Sequence, residues 1–81
     1  MDWKNVSQAE RDNAVMFRLS ADDASSKEHE CRTAAAKTTD PDSRAMWLLL
    51  AIKHHVAALS HTAAADMSDE IATYAETHQP R

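Results

Sequence analysis

Five histidines, a lone cysteine and several carboxylates are the side chains of this chain best suited to hold a metal or to attack a substrate. His54 and His61 stand seven positions apart, so on a helix they share one face. Cys31 follows His29 and Glu30 and lies three residues after Glu28, on what would be a neighbouring helix. A thiolate, imidazoles and a carboxylate gathered between helices would bind zinc or haem, and helical bundles build sites this way. The spacing is not a zinc signature, since there is no C-x-x-C pair and no H-E-x-x-H. The Glu-x-x-His pair of di-iron bundles is also missing. A metal- or haem-binding bundle on His54, His61 and Cys31 therefore stands as the alternative. The expectation is that His54 and His61 edge a helix interface, that the other histidines face water, and that no cofactor is bound.

Cys31 as a nucleophile would need a base to orient it. The sequence positions none, and with no glycine in the chain there is no glycine-built oxyanion loop. A helical cysteine among small residues is expected simply to pack, and the chain reads as a non-enzyme. Asp22, Asp23, Glu28 and Glu30 interleave with Lys27 and Arg32, the pattern of a solvated helix face. Glu28 and Arg32 have the favourable i,i+4 order.

These residues must be positioned by helices. The chain has 81 residues, no glycine, and proline only at Pro41 and Pro80. Hairpin turns and bulges lean on glycine, whereas the abundant alanine is the best helix former. An all-α domain follows, spanning 1–81, with 1–6 and 78–81 expected to fray. A chain this short buries only roughly 60–65% of its unfolded surface, so its core is thin unless association adds to it. The net charge is -4 with no basic cluster, which argues against nucleic acid as partner. One cysteine permits no internal disulfide and fits a reducing compartment. The apolar run Ala45–Ile52 is far short of the ~20 residues that span a bilayer, and no signal-peptide core opens the chain. No membrane association and a cytoplasmic location are the expectations.

Ser7-Gln8-Ala9-Glu10 matches a capping box and predicts a helix start. Ser20–Ser26 is the weakest helical stretch, because Ser and Asp compete for backbone hydrogen bonds. Either one helix runs from about Gln8 to Lys37, or Ser20 caps a new one. Phe17, Ala21, Ala24, Glu28, Cys31, Ala35 and Thr38 recur at steps of four and three, one thin face that favours continuity. Asp40 as N-cap with Pro41 at the first helical position ends the first helix near Lys37 and opens the next. A connection this short makes the two antiparallel neighbours. The second helix is predicted from Pro41 to about Ala65, and Asp66 or Ser68 caps a short final helix to Thr77.

From Ala45 to Ala65 the only fixed charge is Lys53. One stripe, Ala45, Leu48, Leu49, Ile52, Val56, Leu59 and Ala63, is expected to face the first helix. A second, Met46, Trp47, Leu50, His54, Ala57 and His61, is left without an evident partner inside the chain. Aromatic and Met side chains are enriched at interfaces, so Met46, Trp47, Leu50 and His54 are the candidate partner-binding residues.

Cys31, Arg32, Ala35, Thr39, Asp40, Pro41, Arg44, Leu50 and Ala51 form a pattern in which an Arg-x-x-Ala helix end leads through a Thr-Asp-Pro turn to an Arg and then Leu-Ala. Over about residues 28–59 this resembles a group of short hypothetical proteins of rhizobia and related alphaproteobacteria. That group often carries Trp where this chain has His54. The resemblance implies a helical hairpin and a bacterial source, and no activity. The sequence as a whole predicts an antiparallel helical hairpin with one or two short flanking helices, completed by oligomerisation. The expected role is a small interaction or regulatory protein, a homo-oligomer or the binder of a protein partner. An accessory or phage-derived inhibitor of a larger host complex is a further alternative.

Overall fold

Asp40 and Pro41 make the turn between the two helices. The computed structural model describes residues 1–79, and these form two long helices, α1 (Trp3–Lys37) and α2 (Pro41–Thr77), with no strand among them. Asp40 sits in extended backbone, and its carboxylate accepts the Ser43 amide at 2.9 Å. The resulting hydrogen bonds hold the Asp40 carboxyl below the usual carboxylate range. Pro41 takes the first helical position, where a missing N–H is harmless. The end of α1 is closed by the Thr38 hydroxyl donating to the Ala34 carbonyl at 2.7 Å. The result is an all-α antiparallel hairpin, a rod of 64 × 13 × 13 Å.

Both helices run further than their sequence signals suggest. α1 starts at Trp3, with the Asp2 carboxylate accepting the Asn5 amide at 3.2 Å, and not at the Ser7 capping box. Ser7 is buried, and its hydroxyl donates to Glu76 of α2 at 3.2 Å. Residues 3–6, expected to fray, are helical because Trp3 packs edge-on against Tyr74, their ring centres 5.6 Å apart. Residues 78–79 lie past the end of α2, and 80–81 lie outside the described residues. Ser20–Ser26 passes through α1 without a break. The short flanking helices are absorbed: Asp66 and Ser68 cap nothing, since Asp66 pairs with Arg18 and Ser68 is buried against α1. With no glycine or proline between Pro41 and Thr77, nothing forces a stop.

The core is a seam of small side chains. On α1 it comprises Ser7, Ala14, Ala21, Ala24, Cys31 and Ala35; on α2, Ala51, Ala65, Ser68, Ala72 and Ala75. These positions recur at the three-and-four spacing of a coiled coil. The thin face read from Phe17 to Thr38 is this seam, and it extends back to Ser7. No large side chain is fully buried.

Most of the stripe expected to be core is on the opposite side, while Leu48 stays at the flank beside Ala35 and Ala36 of α1. Leu48, Leu49, Ile52, Val56 and Leu59 are exposed, Ile52 and Leu59 to 59% each. The stripe expected to lack an internal partner is the one nearer α1: His54, Ala57 and His61 are half-buried, and Trp47 and Leu50 are the least exposed large apolar residues of the helix. The physical reason lies in length. The leucine stripe ends at Ala63 and is continued by Asp66 and Glu70, whereas the small-residue face runs to Ala75. Only the latter matches the face of α1 along the whole rod. Packing by alanine also brings two backbones close along their full length, so many weak dispersion contacts accumulate.

Candidate functional site

Three features surround the seam. At the open end of the rod, Arg11 of α1 donates to Asp69 at 2.9 Å and to Glu76 at 3.0 Å. Arg18 reaches Asp69 at 2.6 Å and Asp66 at 3.2 Å. The two guanidiniums hold the Asp69 carboxyl below its ordinary range, Arg18 more than Arg11. Arg11 does the same to Glu76, and both arginines hold their protons more tightly in return. All of these groups are partly solvated, so the network fixes register and pairing more than it stabilises the fold.

Near the middle, the Glu28 carboxylate lies between the helices, its side chain only 16% exposed. It meets His55 Nδ1 at 2.9 Å and accepts from Arg32 Nε at 2.8 Å. The His55 contact, followed by the Arg32 bond, lowers its proton affinity. The i,i+4 pair read from sequence is present, but Glu28 is a bridging group between helices and not part of a solvated face.

The third feature mixes apolar and polar side chains. An open groove of about 400 Å³ lies along one flank, lined by Met16, Leu19, Lys27, His54 and His61 among others. His61 stacks with Phe17, ring centres 6.5 Å apart. Cys31 is buried in the seam and free. Among the described residues no three His, Cys, Asp or Glu side chains converge as metal ligands. The candidate partner-binding residues separate: Met46 is well exposed at 61%, Trp47 and Leu50 lie at the margin of the seam, and His54 belongs to the groove.

The back of α2, turned away from α1, carries Ala45, Leu49, Ile52, Val56, Leu59 and Ala63, all exposed. Leu48, exposed to 45%, stands at the flank beside Arg32, Ala35 and Ala36 of α1. Lys53 is the single fixed charge of that segment. Scattered exposed leucines are ordinary, but a contiguous apolar stripe bounded by acidic residues marks an interaction surface. The sequence reading missed this face by assigning its residues to the core. The signal that would have found it is the spacing of Ala51, Ala58, Ala65 and Ala72, seven apart, which matches Ser7, Ala14 and Ala21 on α1.

Comparison with protein-family models, with curated proteins and with solved structures finds no match. No helix among the described residues is long and apolar enough to cross a membrane.

Proposed function

We propose that this chain is a non-enzymatic interaction protein whose docking surface is the back of α2. The observation that carries the reading is the exposure of Leu49, Ile52, Val56 and Leu59 on one side of a helix that already has its seam with α1 filled. A monomer gains nothing from these four large aliphatic side chains in water. Covering each one removes apolar surface at roughly 25 cal/mol per Å². Either a second copy or another protein satisfies that requirement. Met46 flanks the stripe and extends the surface; Trp47, Leu50 and His54 lie on the side of α2 nearer α1 and are not part of it.

The test is photo-crosslinking in the cell that makes the protein. A photoreactive residue at Ile52 is expected to give covalent protein adducts, while the same residue at exposed Ser26 on α1 gives none. Equal labelling at both positions, or none at Ile52, removes the reading.

A further inference from the structure

The exposed stripe is a palindrome. Ala45, Leu49, Ile52, Val56, Leu59 and Ala63 follow at steps of four, three, four, three and four. Read backwards, the order of sizes is the same: alanine, leucine, a β-branched residue, a β-branched residue, leucine, alanine. The steps are those of a coiled-coil seam, so α2 carries two seams, one filled by α1 and one open.

We infer that the occupant of the open seam is a second copy of this chain, with α2 packed antiparallel on α2 about a two-fold axis. The inference rests on the docking surface proposed above and names what fills it. A two-fold contact requires a surface complementary to itself. In the antiparallel arrangement Leu49 meets Leu59 of the copy, Ile52 meets Val56, and the alanines at 45 and 63 close the two ends. Antiparallel helices also set opposite dipole ends together. The parallel alternative would align the dipoles and stack Asp42, Asp66 and Glu70 each on its own copy. Antiparallel packing brings Asp42 toward Asp66, which Arg18 already pairs. Lys53 flanks the seam near its midpoint, where its long stem can carry the charge to solvent.

The exposed area agrees. The chain exposes 5950 Å². A compact monomer of 9.0 kDa is expected to expose roughly 4,900 Å². The excess of about 1,000 Å² comes with the rod shape, and it is as large as the ~800 Å² that each partner buries in a standard interface. The product is a row of four helices, with the α2 pair in the middle and each α1 outside.

The purified chain tests this in two ways. Sedimentation at about ten times micromolar concentration should give twice the 9.0 kDa of the chain. Ile52→Glu with Val56→Glu should return it to a monomer. In a Cys31→Ala background, chains carrying Leu49→Cys and chains carrying Leu59→Cys are mixed and oxidised. The expected product is the mixed 49–59 disulfide in several-fold excess over either homodimer. A monomeric wild type overturns the inference, and so does a 49–49 disulfide as the main product. If the double glutamate variant unfolds, the disulfide pattern decides alone. Adducts from Ile52 to a different protein, with a monomeric purified chain, would sink the second copy while leaving the docking surface standing.

Discussion

Arg18 and Asp69 meet across the hairpin at 2.6 Å, and the same carboxyl group takes Arg11 at 2.9 Å. One acidic side chain thus ties two basic ones that stand seven residues, about two turns, apart on α1. A slip of one turn along the seam would break both contacts. The small-residue seam alone leaves the register weakly specified, and these charges specify it.

The network carries a pH dependence of definite sign. Asp69, Glu76, Glu28 and Asp40 all have carboxyls held below their ordinary range in the folded chain. Their contribution is complete above the unfolded carboxylate range, about pH 4–4.5. It is lost as the pH falls through the lowered native values. Thermal melts followed by circular dichroism should be flat between about pH 7 and 5 and fall steeply below about pH 4. Asp69→Asn should make the acid limb shallower, because the most contacted carboxylate no longer titrates. An acid limb identical in both proteins would show that the network does not contribute.

The second prediction concerns Ala65, which is fully buried in the seam. A larger side chain there has no space unless the helices part. Ala65→Leu is expected to cost about 1–3 kcal/mol by overpacking. In a domain of this size each kcal/mol lowers Tm by roughly 4–8 °C. The measurement is a urea or thermal midpoint against wild type. Were the seam the leucine stripe, Ala65→Leu would be neutral or stabilising.

What was legible in the sequence divides along physical lines. The turn at Asp40-Pro41 rests on local chemistry, a cap and a ring that fixes φ, so it could be read without tertiary knowledge. The all-α class follows as directly from the missing glycine and the abundant alanine. The helix starts at Ser7 and Ser68 are also local signals, and they misled, because tertiary contacts use both serines inside the seam. The orientation of α2 was not legible from hydrophobicity. Burial normally selects the bulkier stripe, and this helix reserves that stripe for the outside while alanines fill the inside. Choosing between two stripes required comparing their lengths with the face of α1. The position of Glu28 was equally hidden, since its bridge to His55 depends on the register of the two helices.

The last prediction tests the continuity of α1 through its weakest stretch. Ser25 and Ser26 are exposed and lie in mid-helix. No side-chain hydrogen bond ties either of them down among the described residues. Their only effect on stability is then helix propensity, in which serine is inferior to alanine by a few tenths of a kcal/mol. Ser25→Ala with Ser26→Ala should therefore raise the unfolding midpoint by about twice that amount. Ser25→Pro should cost about 3 kcal/mol, because it removes a helical hydrogen bond and clashes with the carbonyl four residues back. A break near Ser20–Ser26 would give the opposite pattern, with the proline tolerated and the alanines without effect. Denaturant titration of both variants separates the two, and helical signal at constant temperature confirms that the proline variant loses structure and not merely stability.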